Sequence, residues 1–245
     1  MAERIGLTKN VKLEWMEIAA NCQLMGKSQD EAYPILNEKI GEIIHSPVNS
    51  KQIRVILFNM WYRPEDWFLA ASIKAAENLP TDERIGVHWA LLLKRYQVFY
   101  DLCVVIGGLF NFRDVITLSQ IRNRIFEIWG ARDTLQNCLA KNIQTFKELK
   151  SISATSAPGS YCCNSMKLDN MRIMQLLCAS VIERSGRQYM TWEELIQHPA
   201  LFPFAVEDLT QADMSSCEWL CLERMGDDVI IRIKNEYCTQ DSIIE

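Results

Sequence analysis

The chain has 245 residues, 49% apolar and 23% charged, with a formal net charge of −5. That is enough apolar material for a sizeable core, which excludes a disordered chain, and no run approaches the roughly 18–20 apolar residues of a membrane helix. The charge is uneven: residues 51–150 carry 14 Lys and Arg against 10 Asp and Glu, whereas residues 201–245 carry 3 against 10, a weak basic excess that permits a nucleic-acid face without demanding one.

Gly and Pro total only 17 residues, and apolar residues recur at intervals of three and four, so the fold class expected is mainly α. A first helix is expected over residues 8–25, capped by Thr8, with Val11, Trp15, Ile18 and Cys22 on its apolar face. Ser28 and Glu31 have capping-box spacing and open a second helix, striped by Leu36, Ile40, Ile43 and Ile44 and ending near His45. Pro47 and Asn49 mark a turn, and a third helix follows from about Ser50 to Tyr62. A fourth begins with Pro64 in its first turn.

The segment from Thr81 to the Gly107–Gly108 pair predicts one long central helix through Ile85, Trp89, Leu92, Tyr96, Phe99 and Cys103. Two more helices follow, one with Thr117 and Gln120 in capping-box spacing, the other with Leu135, Cys138, Leu139, Phe146 and Leu149 inward. Residues 1–150 are thus expected to form a helical body. Residues 151–165, rich in Ser, Pro and Gly, predict a loop or linker. A smaller unit over 166–245 is expected to hold a helix over "LDNMRIMQLLCASVIERSG" and a short one capped by Thr191. A β-hairpin turning at Gly226-Asp227-Asp228 and a frayed tail, "TQDSIIE", complete it.

Catalysis requires a constellation, and none is legible. His45, His88 and His198 fall at a helix end, within the central helix and before a proline, and no phosphate loop or nucleophile elbow is present. A non-enzymatic protein without cofactor is expected. Cys217 and Cys221 lie on an apolar run at a spacing unlike the CxxC pairs of zinc sites, so no metal site is expected. An odd count of nine cysteines, several of them in apolar helical positions, fits reduced thiols and a cytoplasmic setting.

The sharpest functional lead is "HSPVNSKQIRVILFNMWYRP", residues 45–64. Two helices joined by a short turn have the order of a helix-turn-helix unit, whose second helix presents its N-terminal residues to the major groove of DNA. Ser50, Lys51, Gln52 and Arg54 are side chains able to reach phosphates and base edges, and Arg122, Arg124, Lys141 and Lys147 would extend a phosphate-tracking surface. The rival reading is a protein–protein scaffold that uses the acidic end and exposed aromatics Trp61, Tyr62 and Trp67.

Three stretches resemble a known family: "NSKQIRVILFNMW", "HWALLLKRYQVFYDLCVVI" and "DVITLSQIRNRIFEIWGARDTLQNCLAKNIQTFKEL". Trp89, Leu93, Lys94, Arg95 and Tyr96, then Ile121, Phe126, Trp129, Thr134, Leu135 and Lys141, are similar in order and type to the small helical A component of the BREX phage-exclusion systems. The matches are short and cover about residues 8–150. The resemblance implies a non-enzymatic DNA-binding accessory that works with other defence-system proteins, and it carries contact with double-stranded DNA onto Ser50–Arg54.

Overall fold

The computed structural model describes residues 6–206 and 209–238, and within them the protein is mainly helical. The tail "TQDSIIE" lies outside the described residues. Six helices come first: α1 (Leu13–Leu24), α2 (Gln29–Gly41), α3 (Pro47–Trp61), α4 (Trp67–Ala76), α5 (Thr81–Arg95) and α6 (Gln97–Phe110). A strand β1 (Val115–Thr117) leads into α7 (Leu118–Trp129) and α8 (Asp133–Glu148). Strands β2 (Ile152–Ala154) and β3 (Ser160–Cys163) precede α9 (Met171–Arg184), β4 (Met190–Thr191), α10 (Trp192–Ile196) and α11 (Gln211–Ser215), and β5 (Leu220–Met225) and β6 (Asp228–Ile233) come last.

Local signals set several boundaries. The capping boxes at Ser28–Glu31, Thr117–Gln120 and Thr191–Glu194 are all formed, each satisfying backbone N–H groups that a helix start leaves open. The C-terminal hairpin is present, with Gly226 at φ +65° in a two-residue turn, where the absence of Cβ removes the steric cost. Its strand β6 also pairs with β4, giving the order β4-β6-β5.

Other expectations are corrected. The first helix starts at Leu13, not Thr8: Leu7 and Val11 are fully buried, and the Val11 amide donates to Thr145 Oγ1 at 3.2 Å, tying this segment to α8. The third helix is capped by Ser46, whose hydroxyl accepts from the Asn49 amide, with Pro47 as its first residue, so it begins before Ser50. The fourth starts after Pro64, capped by Asp66. The long central helix is two helices, because Tyr96 is extended (φ −132°, ψ 104°). The break lets α6 fold against α5 and brings Phe99 to 5.2 Å from Trp89.

The segment 151–165 is not a linker. Strands β2 and β3 form a hairpin, and β3 pairs with β1 from before α7, giving a sheet of order β1-β3-β2. The helices on either side of this sheet also meet directly. α5 packs against α9 as well as α1, α3, α4 and α6, and the Trp89 ring touches Phe99, Phe146, Phe202 and Phe204 at centroid distances of 5.2–5.9 Å. Aromatic rings from both sides of residue 150 thus share one core.

Candidate functional site

The helix-turn-helix order of α2 and α3 is present, but it does not present the four polar residues of α3 alike. Ser50 is buried and donates from its hydroxyl to the Ile44 carbonyl at 3.0 Å. Arg54 is only 6% exposed. Its guanidinium donates to Asn37 Oδ1 at 2.5 Å and to the Tyr33 hydroxyl at 3.3 Å, and lies 4.7 Å from the Tyr33 ring centre. These contacts fasten α3 to α2, so both residues are structural. Lys51 and Gln52 are exposed.

Lys51→Ala is therefore expected to change stability by no more than about 0.5 kcal/mol, whereas Arg54→Ala should cost about 1.5–3 kcal/mol through its lost charged hydrogen bonds. Urea titration of both variants measures this. Equal midpoints would contradict the inward role of Arg54.

Lys51 and Gln52 open into a cleft of about 870 Å³ between α3 and α8. One wall is α3, through Val48, Lys51, Gln52, Val55 and Ile56; the other is the start of α8, through Arg132, Thr134, Leu135 and Cys138. Tyr96 and Val98 at the α5–α6 break contribute to the lining, Trp129 closes one side from the end of α7, and Gly6 and Thr8 border the cleft. Gly6 packs closely there: a Cβ would stand 2.5 Å from Cys138 Sγ, so the thiol would have to shift. The helix break at Tyr96 places Tyr96 and Val98 in the lining of this cleft.

Its chemistry is that of an apolar hollow with a cationic, hydrogen-bonding edge. Lys51 and Arg132 both line it, from α3 and from the residue before α8, and neither has an ion-pair partner among the described residues. Trp129 Nε1 donates to Asp101 Oδ2 at 2.8 Å and Gln97 Nε2 donates to Asp101 Oδ1, which fixes the indole at the cleft side. Burial pushes the Cys138 thiol up to about 11, so it is protonated at neutral pH and a poor nucleophile.

The remaining basic residues named from the sequence do not line this cleft. Arg122 is half-buried, and Arg124 is exposed and pairs with Glu127 at 3.3 Å. Lys141 is half-buried, and Lys147 lies 5.3 Å from the Tyr161 ring centre. The aromatics proposed as an exposed scaffold surface are also inside: Trp61 and Tyr62 are buried and Trp67 is half-buried. Arg132, Trp129, Thr134 and Cys138 had no local signal linking them to Lys51, since only the approach of α8 to α3 brings them together.

The other polar concentration is in the core. Glu17 accepts from Arg84 Nη1 through Oε2 at 2.7 Å and from His88 Nε2 through Oε1 at 2.7 Å. Trp61 Nε1 donates to His88 Nδ1 at 3.2 Å, which assigns the imidazole proton to Nε2. Arg84 also donates to Asn21 Oδ1 and the Leu79 carbonyl. With His88 wholly buried, this is a closed structural network. Lys94 and Arg95, two residues of the family resemblance, also face inward: Lys94 pairs with Glu183 at 2.5 Å and Arg95 with Asp66 at 2.6 Å.

Among the described residues no group of His, Cys, Asp and Glu could hold a metal ion, and no helix is long and apolar enough to cross a membrane. The chain matches no family model, no curated protein and no solved structure.

Proposed function

We propose that this protein acts by binding rather than catalysis, and that the cleft between α3 and α8 is its working surface. The observation that carries this reading is the direction of α3: its exposed Lys51 and Gln52 open onto an apolar hollow, not onto a convex helix face. A concavity of several hundred Å³, mostly apolar with a few convergent polar groups, is the usual form of a ligand site. The non-enzymatic reading is supported by the protonated thiol of Cys138 and by the commitment of His88 to the core network.

A second reading, contact with double-stranded DNA in a phage-exclusion assembly, is supported by exposed Lys51, Gln52 and Arg132 and by the short sequence resemblance. The two readings separate in one pair of titrations on the full chain. The anionic dye 1-anilinonaphthalene-8-sulfonate should bind saturably to the folded protein, and Val55→Trp, which fills the cleft, should weaken it by about tenfold, or about 1.4 kcal/mol. A fluorescein-labelled duplex of two helical turns should show no Lys51- and Arg132-dependent anisotropy change. Salt-sensitive duplex binding that disappears in Lys51→Ala/Arg132→Ala, without dye binding in the cleft, would replace the first reading with the second.

A further inference from the structure

We infer that the cleft takes an amphipathic organic anion: an apolar chain or ring system with a single carboxylate- or sulfonate-type head. This deepens the binding reading above and rests on it. Lys51 on α3 and Arg132 before α8 both line the cleft, each without an ion-pair partner among the described residues. Gln52 and Thr134 add hydrogen-bond donors beside them. An anionic head would satisfy both cations, and Arg132 is suited to hold a carboxylate through two parallel N–H groups.

The body of the ligand follows from the remaining lining. Val48 and Val55 offer accessible hydrocarbon, Ile56, Val98 and Leu135 being already buried, and a ligand's own hydrocarbon placed against them gains roughly 25 cal/mol per Å² removed from water. A hollow of about 870 Å³ is far larger than an inorganic anion, which would leave those walls wet. Charge decides the sign of the head. Among the described residues no carboxylate lines the cleft, and Asp101 behind Trp129 is occupied by the indole N–H and the Gln97 amide. A cationic amphiphile would therefore meet two like charges and no counter-charge. A neutral one would leave both cations without a partner from the ligand.

Isothermal titration of the full chain with sodium decanoate, decylammonium chloride and sodium phosphate tests this, each amphiphile being kept below its micellar range. Decanoate is expected to bind at one site, at least about tenfold more tightly than decylammonium, with no heat from phosphate. The preference should shrink as salt is raised. Lys51→Glu/Arg132→Glu should reverse it, and Lys51→Gln/Arg132→Gln should abolish it while decanoate still binds weakly. Both positions are exposed, so unchanged thermal transitions are expected and serve as the folding control. Equal affinity for decanoate and decylammonium would overturn the anionic head while leaving the apolar cleft in place. Binding of neither would overturn the cleft reading as well.

Discussion

Glu17→Ala is expected to lower the thermal unfolding midpoint by on the order of 10 °C. Glu17 is 8% exposed and is the shared acceptor for Arg84 and His88, so its removal leaves a guanidinium of similar burial without its counter-charge. Breaking one side of a buried pair costs about 3–5 kcal/mol, and a chain of this length loses roughly 2–4 °C per kcal/mol. Glu17→Gln, which keeps an acceptor for one partner but not the charge, should lose less. A shift below about 2 °C for Glu17→Ala would show that water or rearrangement replaces the carboxylate.

The same network gives the protein an acid-sensitive element. Burial holds His88 below its usual pKa in spite of Glu17, and Trp61 donating to Nδ1 requires the neutral ring. The folded state therefore binds fewer protons than the unfolded chain, and this contribution is complete above pH 6.5 and is lost as pH falls below it. His198, held down to about 4 by burial, acts with the same sign between pH 6.5 and 4. The slope of stability against pH should be shallower in His88→Gln than in the parent. Taking that difference cancels Asp101 and Glu183, whose raised pKa values act in the opposite direction.

Two adjacent glycines should respond with opposite signs. At Gly107 a Cβ would overlap the carbonyl oxygen of Pro199 and stand 3.0 Å from Phe202 Cβ. The obstruction is backbone, which cannot rotate aside, so α6 would have to separate from the turn at Pro199–Leu201. Gly107→Ala is expected to cost about 3 kcal/mol, at the upper end of ordinary overpacking. Nothing lies within 4 Å of a Cβ at Gly108, so Gly108→Ala should gain about 0.5–1 kcal/mol from helix propensity alone. Denaturant midpoints of the two variants provide the comparison. A loss at Gly108 as large as at Gly107 would remove the close-approach argument.

That pair also shows where sequence reasoning stops. Two glycines in succession predict the end of a helix, yet α6 runs on to Phe110 because Gly107 is used for close approach rather than for a turn. Tyr96 shows the converse. No Gly or Pro stands at the break, the three-and-four spacing continues across it, and only the burial of both half-helices against one core requires an extended residue there. Residues 151–165 carry turn-forming residues that predict a loop, and their strands exist because β1, distant in sequence, supplies the partner for β3.

The candidate site divides the same way. From the residues alone, the existence of α3 was legible, though not its start at Ser46–Pro47; the capping boxes and the Gly226 turn were legible too, because each depends on neighbours within a few positions. Whether a polar residue of α3 faces outward was not legible, since one or two residues of helical rotation separate exposed Gln52 from buried Ile53 and Arg54. By itself the sequence determined the mainly helical class, the three capping boxes at Ser28, Thr117 and Thr191, and the hairpin, all of which rest on local hydrogen bonding and periodicity. Only the tertiary structure decided that Arg54 fastens α2 to α3 and that Lys51 and Arg132 line one apolar hollow. Those outcomes are set by which surfaces the packed helices cover, and that is a property of the whole chain.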